Sequence, residues 1–261
     1  MGIFSVISLL GGLSIFLYGM DIMGDGLKSS SSKALKSMLE KVTHSAVLGM
    51  LTGTLVTSVI QSSTATIVLT VGLLSAGILN LRQSISIVMG ANIGTTVTAQ
   101  IIRLMDINSS GAAFIEIFKP STLAPLAVLC GIIFLKFVKS QKTKGIGMML
   151  MGFGILFTGL MGMTEAVSPL SESQAFTDVL QKFSDVPILG ILTGLITTFI
   201  VQSSSAVIGM VQALSSTGAF TFQTVYPLII GINLGTCITT AIVCSIGTDK
   251  DAKRTGIAHI L

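Results

Sequence analysis

The chain has 261 residues, 51% of them hydrophobic and only 10% charged, with a formal net charge of +4. Soluble domains are about 25% charged, so this composition excludes an ordinary water-soluble globule and points to lipid as the main solvent. The basic residues form no continuous face for nucleic acid, and no Walker loop, nucleophile elbow or paired-carboxylate pattern offers an enzyme its chemistry.

A hydrocarbon core about 30 Å thick takes about 20 helical residues to cross. Residues 2–23 form the first stretch of that kind. Similar stretches recur down the chain, so it reads as a span and not a signal peptide. Asp21, near its end, reads as an interfacial residue, with a cation ligand as the alternative. A basic loop follows at 24–44, with Lys28, Lys33, Lys36 and Lys41. Residues 47–79 hold two apolar arms of about 15 residues around Gln61-Ser62-Ser63-Thr64. The arms are short for complete spans, so the segment reads as a re-entrant hairpin with a polar tip. The next span, 84–105, contains Gly90-Ala91-Asn92-Ile93-Gly94-Thr95-Thr96. Paired glycines weaken a helix and permit unusual backbone angles, which predicts a broken, unwound span.

Residues 122–138 and 145–163 form two further spans around Lys136, Lys139, Lys142 and Lys144. Residues 164–186 make an acidic loop, with Glu165, Glu172, Asp178 and Asp185 against Lys182. A second hairpin at 187–220 carries Gln202-Ser203-Ser204-Ser205. A second broken span at 225–246 carries Gly231-Ile232-Asn233-Leu234-Gly235-Thr236-Cys237. Beyond Lys250, Lys253 and Arg254, the run Ile257 to Leu261 reads as the opening of another span, so the chain is expected to be a C-terminally truncated fragment. Cys130, Cys237 and Cys244 show no metal-ligand spacing and read as structural thiols. His44 and His259 are isolated and suggest no zinc site.

From Leu48 to Leu104 the chain matches itself without a gap at an offset of 141 residues, with 20 of 57 positions identical. Chance matches of leucine and glycine do not reproduce a Gln-Ser-Ser and a Gly-x-Asn-x-Gly-Thr at the same spacing. Residues 1–120 are therefore read as the first transmembrane repeat, 121–144 as a connecting span and basic loop, and 145–261 as the second repeat. Basic loops stay cytoplasmic. The basic 24–44 loop and its acidic counterpart at 164–186 should then lie on opposite sides, which makes the repeats inverted. The expected fold is an all-α polytopic membrane protein of inverted repeats, each with a re-entrant helical hairpin and a broken transmembrane helix.

A polar turn at membrane depth survives only when buried in protein or lining a wet cavity. The two tips should therefore meet. Re-entrant helices aim N-terminal amides at such a cavity, which favours an anion. Free carbonyls, Asn oxygens and Thr hydroxyls suit a hard cation such as sodium. Serine hydroxyls donate to an oxyanion, and glutamine can do either job. Neither motif pair contains a Lys, Arg, Asp or Glu. Because an intramembrane charge is expensive, co-bound cations would have to neutralise the load, such as a doubly charged oxyanion with two or more sodium ions. The bland alternative is that these small residues serve helix packing.

At these motifs the sequence resembles the sodium-dependent phosphate cotransporter family, the type II sodium/phosphate symporters and their bacterial relatives. The resemblance implies a sodium-coupled phosphate symporter working by alternating access in a bacterial cytoplasmic membrane, with Na+ as coupling ion and no other cofactor. It implies phosphate contacts from Ser62, Ser63, Ser203 and Ser204, with Thr64 and Ser205 beside them. It implies sodium contacts from Gln61, Asn92, Thr95, Gln202, Asn233 and Thr236, with Thr96 weakened because Cys237 matches it. Bacterial relatives often continue into a soluble regulatory domain, which this chain would lack. Transport of sulfate or a dicarboxylate, or a channel or phosphate-sensing scaffold, are the competing readings.

Overall fold

The computed structural model describes residues 3–40, 45–75, 77–103, 120–171, 185–218, 220–246 and 250–260, together with 178 and 182. Lys41, His44, Leu104, Glu172 and Leu261, all named from the sequence, lie outside the described residues. Ten helices are present among them: α1 (Ile3–Glu40), α2 (Ala46–Ile60), α3 (Ser63–Ser75), α4 (Leu81–Arg103), α5 (Pro120–Phe137), α6 (Gln141–Ser171), α7 (Pro187–Val201), α8 (Ser204–Ser215), α9 (Phe222–Ile246) and α10 (Lys250–Ile260). Four segments are long and apolar enough to cross a membrane: Ile3–Ser30, Leu81–Arg103, Gln141–Pro169 and Phe222–Ile242. The protein is thus an all-α membrane protein, as the composition indicates.

Two expectations are corrected. The basic stretch after residue 23 is not a loop, because α1 continues through it to Glu40. It has no proline, its last eight residues, 33–40, are mostly good helix formers such as Lys, Leu, Met and Glu, and its first part has a partner to pack on. Gly26 lies against the backbone of Gly145 and Met149, and Ser30 Oγ donates to the Gly26 carbonyl at 2.8 Å. Likewise α6 runs on to Ser171, into the stretch read as the acidic loop. The second correction concerns the broken spans. Both Gly-x-Asn-x-Gly-Thr motifs sit inside uninterrupted helices, α4 and α9.

The glycines are used for close approach instead of unwinding. A Cβ on Gly90 would overlap the Met50 carbonyl, and one on Gly231 would overlap the Ile191 carbonyl. In the reverse sense, Gly53 abuts the Ile87 carbonyl and Gly194 the Leu228 carbonyl. These glycine contacts of the α2–α4 pair therefore recur in the α7–α9 pair at the 141-residue offset. Lipid is as apolar as leucine, so helices in a bilayer are held by close packing of small residues and not by hydrophobic exclusion.

The same device joins α1 to α6. Gly12 packs on Gly159, Gly19 on Gly152 and Gly26 on Gly145, each against the other's backbone. One number falls as the other rises, so α1 and α6 run antiparallel. Around this pair lies the main core, with Phe16, Leu156, Phe157, Leu160 and Met163 fully buried. The second hairpin arm α8 sits on it, with Gly209 lying against the Phe16 ring. The arms also exchange partners: α3 packs on both α4 and α9, while α8 packs on both α9 and α4. That crossing brings the two hairpin tips together.

Candidate functional site

Each tip is a left-handed break between two helices. Gln61 caps α2 at φ 59 and ψ 23, and Gln202 caps α7 at φ 58 and ψ 19. Their backbone N–H groups donate to the carbonyls of Thr57 and Thr198. A non-glycine residue pays about 1–2 kcal/mol for this conformation, and it persists where surrounding structure over-determines it, often at functional sites. Here the amide side chains help to fix it. Gln61 Nε2 donates to the Ser58 carbonyl at 2.5 Å, and Gln202 Nε2 donates to the Phe199 carbonyl. Among the described residues the other two positive φ values, at Gly77 and Gly218, are separated by the same offset. The backbone itself therefore repeats.

After each glutamine a serine caps the next helix. Ser62 Oγ accepts from the Ala65 N–H at 3.2 Å, and Ser203 Oγ accepts from the Ala206 N–H at 3.3 Å. Capping uses an acceptor lone pair and leaves the O–H of Ser62 to donate, while Ser203 Oγ also lies 3.2 Å from Ser205 Oγ and shares a hydrogen bond with it. Ser63 and Ser204 open α3 and α8, where unpaired N–H groups and the helix dipole favour negative charge.

A cavity of about 70 Å³ lies between the tips. A site for one water needs on the order of 10–15 Å³ by this measure, so several water-sized groups fit. Its wall consists of seven pairs at the 141-residue offset: Thr57 with Thr198, Gln61 with Gln202, Ser62 with Ser203, Ser63 with Ser204, Thr64 with Ser205, Thr95 with Thr236, and Thr98 with Thr239. Every member is Ser, Thr or Gln, and none carries a charge.

Most of the residues named from the sequence are therefore brought together. Three are not. Asn92, Thr96 and Asn233 line an adjoining chamber of about 250 Å³, with Cys237 and His259. Sequence reasoning missed Thr57, Thr98, Thr198, Thr239 and His259. The four threonines carried a usable signal, since Thr57 and Thr198 are identical at the offset, as are Thr98 and Thr239. His259 carried none, because its partner Asn92 is 167 residues away.

The wall is not symmetric in its hydrogen bonds. Thr98 Oγ1 donates to Gln61 Oε1 at 2.8 Å, whereas Thr239 Oγ1 donates to the Thr236 carbonyl at 2.8 Å. Thr57 Oγ1 donates to Thr66 Oγ1 at 3.0 Å, whereas Thr198 Oγ1 is buried without a partner. Thr95 and Thr236 donate back to the carbonyls of Ala91 and Ile232, each at 3.2 Å, which leaves their lone pairs for a cation. Hydroxyl donors, helix N-termini and hard neutral oxygens in one small space can hold an oxyanion beside alkali cations.

The fold and the cavity define a multi-pass helical membrane protein with an uncharged polar site built from two repeated tips. The chain belongs to the Na+/Pi-cotransporter family, whose model matches it twice, over residues 15–165 and 163–258. It is 28% identical over 246 residues to YqeW of Bacillus subtilis, covering 94% of this chain and 75% of that protein. It is 24% identical over 257 residues to YjbB of Escherichia coli K12, named for inorganic phosphate export, covering 98% of this chain but only 45% of that one. Human sodium-dependent phosphate transport protein 2B is 34% identical over 108 residues, 41% of this chain and 16% of its own. No solved structure matches the chain.

Proposed function

We propose that this protein is a sodium-coupled symporter of inorganic phosphate in a bacterial cytoplasmic membrane. The observation that carries the reading is the uncharged cavity walled by seven matched pairs of Ser, Thr and Gln. The family and the phosphate-transport names of relatives support the substrate. Phosphate would sit against the Ser62–Thr64 and Ser203–Ser205 segments at the starts of α3 and α8. Gln61, Gln202, Thr95 and Thr236 would hold sodium beside it. Asn92, Thr96 and Asn233 would serve ions in the adjoining chamber. Sodium is needed because no protein charge offsets that of the anion, and isolated charge in a membrane is costly.

An inverted arrangement of the repeats is supported by the antiparallel α1–α6 pair, since these are the corresponding first helices of the two repeats. Alternating access would then move the tips against the glycine-locked α1–α6 frame. The direction of net flux follows the combined gradients, so one site serves uptake or export.

Uptake of labelled phosphate into proteoliposomes, with and without an inward sodium gradient, tests the reading. Sodium should stimulate uptake, and Ser63→Ala and Ser204→Ala should each lower it without loss of expression. Sodium-independent flux, or sulfate flux in place of phosphate, would sink the proposal.

A further inference from the structure

The two hairpins rest on the α1–α6 frame in different ways. The frame itself repeats. Gly12 and Gly19 of α1 recur as Gly152 and Gly159 of α6, an offset of 140 residues, and exchanging the two helices turns the contact Gly12–Gly159 into Gly19–Gly152. The hairpins do not follow that exchange. Gly24 of α1 lies beside the first tip, where a Cβ on it would sit 3.6 Å from the Cβ of Gln61. Its counterpart on α6, Thr164, lies at the far end of the second hairpin, with Oγ1 3.4 Å from Ser216 Oγ. Among the described residues α2 packs on α1, with no comparable packing between their counterparts α7 and α6. Likewise α8 packs on α6 and α1, with no comparable packing of α3 on either frame helix.

The face of α8 that meets the frame has a matching face on α3, and the two differ in burial. Ala206, Gly209, Ala213 and the cap residue Ser216 share one side of α8, at helical spacing. Ala206 and Ala213 are fully buried in the main core, and Gly209 lies against the Phe16 ring. Their counterparts at the 141-residue offset are Ala65, Val68, Gly72 and Ser75, and all four are exposed. Nothing lies within 4 Å of the Cβ position of Gly72. Glycine inside a helix is about 1 kcal/mol worse than alanine, and no contact in this conformation requires it there. Small residues on a membrane helix let another helix approach closely, which is the use the matching face of α8 makes of them.

We propose that the Ala65–Val68–Gly72–Ser75 face of α3 is a second docking surface for the α1–α6 frame, used in a conformation where the hairpins sit at the other end of the frame. The proposal rests on the inverted, alternating-access reading and names the surface that the movement uses. The occupant of the exposed face is the frame of the same chain, and the repeat gives its contacts. Ser75 meets Gly24, as Ser216 meets Thr164 here, and Val68 meets Leu156, as Gly209 meets Phe16. Access to the cavity changes with it. In this structure Gln61 and Ser62 line both the central cavity and a vestibule of about 320 Å³ against Met20 and Gly24 of α1. In the second position Gln202 and Ser203 lie against α6 at Thr164. Two packed arrangements of one interface, related by exchange of the repeats, make a bistable element.

Paired cysteines in proteoliposomes test it, on a chain carrying Cys130→Ser, Cys237→Thr and Cys244→Ala. Thr164→Cys with Ser216→Cys should form a disulfide on mild oxidation, since this structure places those residues together. Gly24→Cys with Ser75→Cys should form one as well, although Gly24 lies at the tip end of α3 and Ser75 ends that helix about 18 Å away. Trypsin cuts between the members of each pair, at Lys28 and at Lys182, so joined peptides are read by mass spectrometry. Gly72→Leu has free space in this conformation and should leave the melting midpoint unchanged or raised. It should also suppress the 24–75 disulfide, spare the 164–216 one and slow sodium-driven phosphate uptake about tenfold, the effect of overpacking one contact. If the 24–75 disulfide fails to form in vesicles that take up phosphate, the docking surface is overturned and the transport reading stands. A stable Gly72→Leu protein that transports at the normal rate overturns it too. Both disulfides in vesicles that take up no phosphate support the surface and overturn the phosphate reading.

Discussion

Thr57 and Thr198 hold the same place in the two repeats, yet their hydroxyls meet different fates. Thr57 Oγ1 donates to Thr66 Oγ1 at 3.0 Å. The counterpart of Thr66 is Val207, so Thr198 Oγ1 is left buried on the cavity wall with nothing to bond. If that hydroxyl served only the fold, valine would do as well or better, because a buried unmade hydrogen bond costs about 1–3 kcal/mol. Thr198→Val should therefore leave the melting midpoint in detergent unchanged or raised, while raising the KM for phosphate about three- to tenfold. Thr57→Val should instead lower the midpoint, by the equivalent of about 1 kcal/mol. A Thr198 variant that melts early and transports normally would make the residue structural. The sequence shows why such positions were hard to see. Gln-Ser-Ser stands out among apolar neighbours, but a lone threonine is common at membrane helix contacts. Its repeat partner was the only mark that set it apart.

Glycine has two separate properties, freedom at φ and the absence of a Cβ, and a sequence does not say which one an element uses. The Gly-x-Asn-x-Gly-Thr motifs read as sites of unwinding, but α4 and α9 run through them and spend the missing Cβ on contact with α2 and α7. The true breaks fall at Gln61 and Gln202, residues that tolerate the left-handed region poorly, and only the three-dimensional context accounts for that. Helix class and apolar spans were legible because composition and span length are local quantities. Pairings such as α3 with α9 and α8 with α4 were not, because they join segments far apart in the chain. If the contacts hold, Gly90→Ala and Gly231→Ala should each destabilise the protein by about 1–3 kcal/mol through overpacking, seen as matching drops in the melting midpoint. Gly72→Ala is the control. Nothing lies within 4 Å of its Cβ position, and alanine there should raise helix stability by up to about 1 kcal/mol. Similar drops at all three positions would mean that the paired glycines owe nothing to backbone contact.

For the molecule as a whole, the decisive question is the orientation of one repeat against the other. α1 and α6 pack with falling against rising residue numbers at Gly12–Gly159, Gly19–Gly152 and Gly26–Gly145. If both copies keep one internal arrangement, as the inverted reading proposes, antiparallel first helices would present their matching turns to opposite membrane faces. Charge agrees, since basic residues follow residue 23 and acidic residues dominate 164–186, and basic segments remain cytoplasmic. Arg82 and Gln223 are counterparts, each exposed in the first turn of its helix, α4 or α9. On a chain whose native cysteines are replaced, Arg82→Cys should resist a membrane-impermeant maleimide added to intact cells and react after lysis. Gln223→Cys should react before lysis. Labelling of both from the same side would make the repeats parallel. The tips could then no longer serve opposite faces in turn, and alternating access through a single two-fold-matched cavity would lose its geometric basis, whatever ion the cavity holds.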